Sequence, residues 1–157
     1  AKSKPVSVPG TAVFLTSDPD VAPSALMHNI KHNRVLHAQN LIVKVEVATT
    51  PNVSNADRLT IDRLSEAFVR ITITFGYMET PNVPRALALA RKRGVKFDIM
   101  TTSFFLNHRT FKATSGQGLS VWQERIFMWL NKSASNATDF YCLPSNRVVE
   151  MGQQLSI

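Results

Sequence analysis

The sequence has a single cysteine, few acidic residues and no long apolar run. Cys142 alone cannot form an internal disulfide or a zinc site built from several cysteines, and it fits a reducing compartment. The apolar runs, such as residues 126–130, are far shorter than the roughly 20 residues that a membrane-spanning helix needs. The first five residues, Ala1-Lys-Ser-Lys-Pro, lack the apolar core of a signal peptide. We therefore expect a soluble chain that is not secreted.

The length and composition predict one domain with a positive charge. The chain has 157 residues, of which 44% are hydrophobic, enough for a genuine core. Its 18 Lys and Arg exceed 11 acidic residues, and the net charge is +7. Such a charge suits nucleic acid, an anionic membrane surface or a phosphate-bearing ligand. Because the basic residues are scattered and not interleaved with aromatic residues in a known binding motif, nucleic acid is the weakest of these partners.

The apolar pattern predicts alternating strands and helices. Residues 11–16 form a continuous apolar strand, followed by a polar turn and a helix that begins after Pro23. Residues 41–47 alternate as a half-buried strand, and residues 58–64 and 69–75 repeat the alternation as a hairpin. We expect these three strands to form an antiparallel part of the sheet.

The second half adds two helices and two strands to this prediction. A helix is expected over residues 83–93, with Gly94 at its C-terminal end, and a second one over residues 121–131, opened by a Ser120/Gln123 capping box. Strands are expected over residues 97–106 and 146–152. The predicted fold is therefore a single α/β domain, a mixed sheet with an antiparallel hairpin portion packed by about three helices, spanning residues 11–157. Residues 1–10 are predicted to be a linker.

Three groups of residues are candidate binding sites. His28 and His32 have the spacing of a metal-binding pair, but no His-Glu-x-x-His acid and no third ligand accompany them, so no metal is predicted. An anion at the turn before Pro23 is opposed by Asp18 and Asp20. The apolar stripe of the helix that contains Trp122, Ile126, Phe127 and Trp129 is better explained by core packing than by a membrane surface.

A hydroxyl-rich segment, residues 101–103, suggests the end of a strand that lines a ligand crevice, with His108 and Arg109 close behind. The alternative, slightly favoured, is that these hydroxyls bind backbone groups. Ser103 lacks a G-x-S-x-G elbow and a placed acid, so it is not a nucleophile. We predict no catalytic residue and no cofactor.

Five stretches of the sequence resemble successive motifs of the cytoplasmic C-terminal domain of Kup-type (KUP/HAK/KT) potassium transporters. The resemblance covers nearly the whole chain in the same order. Met151, Gln153 and Ser156 depart from it, since relatives more often have Leu, Thr and an acid there. The stretches are Val8-Pro-Gly-Thr-Ala-Val-Phe14, Ala25-Leu-Met-His-Asn-Ile-Lys-His-Asn-Arg-Val-Leu-His37, Phe75-Gly-Tyr-Met-Glu-Thr-Pro-Asn-Val83, Thr101-Thr-Ser-Phe-Phe105 and Pro144-Ser-Asn-Arg-Val-Val-Glu-Met-Gly-Gln-Gln154.

The resemblance implies a potassium uptake protein driven by proton symport, with its ion pathway in a membrane domain outside this chain. Residues 1–10 would then be the linker from that domain, and residues 11–157 a non-catalytic regulatory domain on the cytoplasmic side of the cell membrane. The expected partners are the protein's own transmembrane domain, a second copy in a homodimer and the anionic membrane surface. The polar face of the first helix, which has more charge than folding requires, is the predicted interface: His28, Lys31, His32 and Arg34.

Two alternatives remain open. Some bacterial relatives are inhibited by cyclic di-AMP, so the domain could instead sense that molecule or an adenine nucleotide. Its candidate ligand-binding residues are Lys31, His32, Thr102, Arg109 and Arg147. A nucleotide cyclase activity, proposed for some plant members, needs paired carboxylates, for which Asp18 and Asp20 are the closely spaced candidates.

Overall fold

Six strands form one mixed sheet in the computed structural model, which describes residues 4–18, 20–112 and 137–156. The strand order is β3-β4-β2-β1-β5-β6, and every neighbouring pair is parallel except β3 and β4. This confirms the predicted α/β class and the antiparallel hairpin. The strands are β1 (Val6–Thr16), β2 (Val35–Ala48), β3 (Leu59–Arg63), β4 (Phe68–Gly76), β5 (Thr102–Lys112) and β6 (Val148–Ser156).

The helices in the described residues are short. Helix α1 (Ser24–His28) continues into a π-helical turn (Asn29–Asn33), and α2 (Val83–Lys92) has ten residues. Helix α3 (Ala137–Phe140) precedes a 3₁₀ turn (Ser145–Arg147) that leads into β6. The helix predicted over residues 121–131 lies outside the described residues, and so do the side chains of its two tryptophans.

Residues 11–14 of β1 are buried on both faces of the sheet, as the continuous apolar run predicts. Val13 belongs to the larger core, where α2 contributes Val83 and Leu87. Ala12 and Phe14 point to the opposite face and pack with Leu26 of α1 in a smaller core. The Phe14 ring stacks on Phe105 of β5, with 4.8 Å between the ring centroids. Helices α1 and α2 therefore lie on opposite faces of the sheet.

Local signals fix the ends of both helices. Asn82 caps α2 by accepting a hydrogen bond from the backbone N–H of Arg85, and Gly94 follows the helix with a φ of +95° that suits glycine. The turn after α1 ends at Arg34, whose φ of +55° is left-handed. Just before it, the Asn29 side chain donates to the backbone oxygen of Val35 and accepts from Asn33. These bonds reverse the chain into β2.

Strands β1 and β2 differ from the sequence-based prediction, and so does β5, described below. Strand β1 begins at Val6, inside the segment predicted to be a linker, because residues 6–8 pair with residues 35–37 of β2. Strand β2 is parallel to both its neighbours, although its alternating pattern suggested an antiparallel strand. Lys44 is partly exposed and Glu46 is exposed, so the alternation reflects a face of β2 that reaches solvent and does not report the direction of the strand.

The strand predicted over residues 97–106 begins later, at Thr102, and extends to Lys112. The side chain of Asp98 accepts a hydrogen bond from the backbone N–H of Met100, which starts a 3₁₀ turn over residues 99–101. A side chain that binds its own backbone two residues on competes with strand pairing. The hydroxyl-rich segment therefore stands at the beginning of β5 and not after a strand.

Candidate functional site

The residues predicted to bind a nucleotide are spread along the sheet. Thr102 opens β5, whereas Arg109 lies seven residues further along the same strand, a separation of about 23 Å at roughly 3.3 Å per residue. Arg147 is exposed in the turn before β6. Lys31 and His32 are exposed in the turn that follows α1, close to the start of β2. These five residues therefore do not form one pocket.

The hydroxyls at the start of β5 bind the backbone. Thr102 is fully buried, and its Oγ1 donates to the backbone oxygen of Asp98 at 2.6 Å. Thr101 donates to the same oxygen at 3.2 Å. This is the alternative that the sequence slightly favoured. Because parallel strands bind ligands at their carboxyl ends, Thr102 at an amino end is also in the wrong place for such a crevice.

A crevice does lie at the carboxyl ends of the central strands. It has a volume of about 440 Å³, and its walls include Thr16 and Ser17 at the end of β1, Leu106 and Asn107 in β5, and Tyr141. After β1 the chain adds β2 and β4 on one side of β1, and later adds β5 and β6 on its other side. The crevice lies at this change of direction, which is the usual ligand position in open α/β sheets.

Asn107 is the unusual polar group of this crevice. Its Nδ2 donates to the hydroxyl of Ser24 at 2.6 Å, while its Oδ1 is buried without a hydrogen-bond partner among the described residues. Exchanging the two ends of the amide would still leave one of them unpaired. This Oδ1 is closed off from solvent, so a ligand in the crevice would reach it only after the amide turned.

Among the described residues, the charged side chains with the most hydrogen bonds are those of Arg58 and Glu79. We call these two side chains, together with the backbone groups of Val53 and Gly76 that they bind, the Arg58–Glu79 cluster. Arg58 is 8% exposed, and its Nη2 lies 2.6 Å from Glu79 Oε1. The same nitrogen donates to the backbone oxygen of Val53 at 2.6 Å. Its guanidinium carbon lies 5.1 Å from the centre of the Phe75 ring.

Glu79 also joins two loops through backbone hydrogen bonds. Its Oε2 accepts from the N–H of Gly76 at 2.6 Å and from the N–H of Val53 at 3.2 Å. The hydrogen bond from Arg58, followed by that from Gly76, lowers the pKa of Glu79 from 4.5 to about 2. The carboxylate is therefore ionised at neutral pH and fastens the loop after β2 to the loop after β4.

Gly76 allows these loops to approach closely. A Cβ at this position would lie 2.1 Å from the backbone oxygen of Pro51 and 2.4 Å from its carbonyl carbon. The backbone N–H groups of Tyr77 and Met78 donate to the oxygens of Thr50 and Pro51. Only glycine leaves room for this contact.

The two fastened loops present apolar side chains to solvent. Tyr77 is 59% exposed and Met78 is 73% exposed, and Val47 at the end of β2 is exposed beside the same strand ends. The sequence resemblance includes the motif from Phe75 to Val83 but gave no sign of the cluster. Arg58 and Glu79 are 21 residues apart, so no helical or strand spacing signals that they meet.

Helix α1 and its turn carry the predicted interface residues on the outside of the domain. Lys31, His32 and Arg34 are exposed, and the rings of His28 and His32 stack with centroids 5.7 Å apart. We define the α1 surface as Met27, His28, Lys31, His32 and Arg34. In the part of the chain that the structure describes, none of the three ion pairs involves Lys31 or Arg34.

The acids of the turn before α1 have local partners. Asp20 forms an ion pair with Arg70 of β4 at 3.1 Å, and Asp18 Oδ1 accepts a hydrogen bond from the backbone N–H of Asp20. Within the described ranges, no group of three His, Cys, Asp or Glu side chains is arranged to hold a metal ion. No helix there is long and apolar enough to cross a membrane.

Two other side chains have shifted pKa values. Burial lowers the pKa of His37, whose ring meets the edge of Phe105 with 5.9 Å between centroids. The Glu46 carboxylate, 2.5 Å from the ammonium group of Lys44, raises the pKa of Lys44. Neither residue lines the crevice, so neither pKa shift bears on ligand binding there.

Comparison with known proteins covers the whole chain. Residues 9–157 match the family described as "K+ potassium transporter C-terminal domain". The "Probable potassium transport system protein Kup 2" of Mesorhizobium japonicum is 56% identical over 99% of this chain. Kup 3 of Rhizobium johnstonii is 55% identical over 100% of it, and Kup of Caulobacter vibrioides is 50% identical over 98%.

The alignments cover 24%, 25% and 23% of these three relatives, so the chain spans about a quarter of the length of each. No solved structure matches the chain. The predicted resemblance is confirmed by the family match, which covers all but the first eight residues. This chain belongs to the potassium transporter C-terminal domain family.

Proposed function

We propose that this domain is the non-catalytic regulatory and assembly domain of a proton-coupled potassium uptake protein. The observation that carries the proposal is the match of residues 9–157 to a transporter C-terminal domain, together with relatives about four times longer that are named for potassium transport. The rest of such a protein would contain the membrane helices and the ion pathway. In this proposal the domain lies on the cytoplasmic side of the cell membrane and couples its state, in a homodimer, to the transport path.

Two surfaces are available for contacts outside the domain. The Arg58–Glu79 cluster holds Tyr77 and Met78 exposed on a rigid pair of loops, and large exposed apolar side chains on rigid loops favour contact with another protein. The α1 surface lies on the opposite side of the sheet from α2, and its Lys31 and Arg34 form no ion pair with any residue that the structure describes. A regulatory domain needs such contacts, since it acts through its neighbours.

The test uses the full-length transporter that contains this domain, expressed in cells that lack their own potassium uptake. A version truncated at Pro9 and a version with the domain destabilised by Gly76→Ala are compared with wild type, with Gly152→Ala as the matched control. We expect potassium uptake per transporter, or its response to external potassium, to change in the first two and not in the control. Normal uptake, expression and regulation of the truncated protein would contradict the proposal.

A nucleotide-sensing module is the second candidate, and the crevice at the carboxyl ends of β1 and β5 favours it. The crevice is lined by the polar side chains of Ser17, Ser24 and Asn107, which suit the hydrogen-bonding edge of a nucleobase. Titration calorimetry of the 157-residue chain with cyclic di-AMP, ATP and AMP tests it. Heat that disappears in Asn107→Leu but not in the exposed control Asn146→Leu supports the module, and no heat at high micromolar ligand contradicts it.

An enzymatic role has less support. The carboxylates that a cyclase would need to bind metal ions are occupied, since Asp20 pairs with Arg70 and Asp18 caps the turn. Relatives are named for transport and not for catalysis. Turnover of ATP by the purified chain, abolished in Asp18→Asn, would overturn this assignment.

A further inference from the structure

The segment that forms the α1 surface has charge of one sign only. Residues 21–45 contain no Asp or Glu, but they include Lys31, Arg34 and Lys44 and three of the four histidines of the chain. Lys44 is neutralised by Glu46 at the end of the segment. Lys31 and Arg34 are exposed and have no such partner among the described residues. Their charge is therefore available to a ligand outside this domain.

An apolar groove lies beside these cations. It has a volume of about 460 Å³ and is lined by Ala22, Met27, Ile30 and Lys31, among others. The side chain of Met27 is 54% exposed, while its neighbours Ala25 and Leu26 pack in the smaller core. An exposed apolar side chain flanked by cations is the pattern of helices that lie on anionic membranes.

The position of the α1 surface relates it to the part of the protein that precedes this domain. The backbone oxygen of Arg34 accepts a hydrogen bond from the N–H of Val6 at 2.7 Å, so the cationic end of the turn touches the first residue of β1. In the family, this domain is the C-terminal one, so the rest of the longer relatives precedes it. If that part crosses the membrane, as the proposed function requires, the chain enters the domain from the membrane at this end.

We propose that the α1 surface binds the anionic headgroups of the cytoplasmic leaflet, with Lys31 and Arg34 at the phosphates and Met27 in the headgroup layer. The inference rests on the proposed function for the location of the membrane. A second copy of the chain fits this surface less well, because a symmetric pairing would oppose cations with the same cations. An anionic lipid surface complements every charge on it.

The experiment measures binding of the 157-residue chain to vesicles by sedimentation. Vesicles of phosphatidylcholine alone are compared with vesicles that also contain phosphatidylglycerol. We expect binding only to the anionic vesicles, and weaker binding as salt is raised. Each cation at such a surface contributes about a five-fold factor in affinity. The double variant Lys31→Glu/Arg34→Glu should therefore bind at least about 25-fold more weakly.

A matched control carries the same change of net charge at another place. Arg85 on α2 and Lys96 after it are exposed, and α2 lies on the opposite face of the sheet from α1. Arg85→Glu/Lys96→Glu should keep binding within about two-fold of wild type if the α1 surface is the contact. Equal losses in both double variants would mean that only net charge matters, and would overturn the proposal.

Further measurements separate the other outcomes. Melting temperatures of both double variants should stay close to wild type, which confirms that they fold. Met27→Ser should weaken binding to anionic vesicles with no change in melting temperature. Sedimentation velocity reports the oligomer: if Lys31→Glu/Arg34→Glu changed dimerisation and not vesicle binding, the surface would be a protein interface, which overturns the proposal. If the chain does not bind anionic vesicles but the truncated transporter has altered uptake, the lipid inference is rejected and the proposed function still holds.

Discussion

Gly76→Ala should destabilise the domain strongly because the new methyl group has no space. Its carbon would lie 2.1 Å from the backbone oxygen of Pro51, and an ordinary contact begins near 3.4 Å, so the loop must retreat by about 1.3 Å. That movement strains the packing, at about 1–3 kcal/mol. It also breaks the backbone hydrogen bonds from Tyr77 and Met78, at about 1 kcal/mol each. We expect a total loss of about 3–5 kcal/mol in the free energy of unfolding.

The control is the same substitution where nothing is close. At Gly152 in β6, no heavy atom lies within 4 Å of the position that the methyl carbon would take, so Gly152→Ala should leave the stability unchanged within about 0.5 kcal/mol. At about 2–4 °C per kcal/mol for a chain of this size, Gly76→Ala should melt about 6–20 °C below wild type. Thermal unfolding followed by circular dichroism measures both. Equal melting temperatures for the two variants would refute the argument that the approach of Pro51 requires glycine.

Three further substitutions test the described contacts. Glu79 has a lowered pKa, so its contribution to stability is complete above pH 4.5 and is lost as the pH falls toward about 2. Glu79→Gln should therefore flatten the acid dependence of urea unfolding in that window, and an unchanged dependence would contradict the role of its ion pair. Asn82→Ala should cost about 1 kcal/mol in the same assay, while Asn82→Asp keeps an acceptor for the N–H of Arg85 and should cost much less. Asn107→Leu removes the hydrogen bond from Nδ2 to Ser24 together with an Oδ1 that has no partner among the described residues, so it should cost about 1 kcal/mol, whereas a loss of several kcal/mol would indicate a further partner of Oδ1.

Sequence patterns predicted the elements that depend on neighbouring residues. The apolar run at residues 11–16, the hairpin of β3 and β4 and the helix that ends before Gly94 are all confirmed. Each is encoded by periodicity, capping or a turn within about ten residues. The family was also evident from the sequence, because its motifs are contiguous.

The same patterns failed where two elements compete or meet at a distance. Alternation in residues 41–47 suggested an antiparallel strand, but β2 is parallel to both neighbours, because alternation reports a strand face that reaches solvent and not the direction of the partner strands. The segment before β5 has the composition of a strand, yet the side chain of Asp98 turns it into a 3₁₀ helix. Partner strands distant in sequence decide the direction of β2, whereas at Asp98 a hydrogen bond to the backbone two residues on outweighs the composition of the segment.

The fold class, the family and the cationic character of the α1 surface all follow from the order of residue types along the chain. Which surfaces form depends on how distant segments pack. That packing joined Arg58 to Glu79 across 21 residues, brought the end of the α1 turn against Val6, and opened the crevice between β1 and β5. Strand order and loop approach depend on contacts between distant segments, and a local sequence pattern carries no record of them.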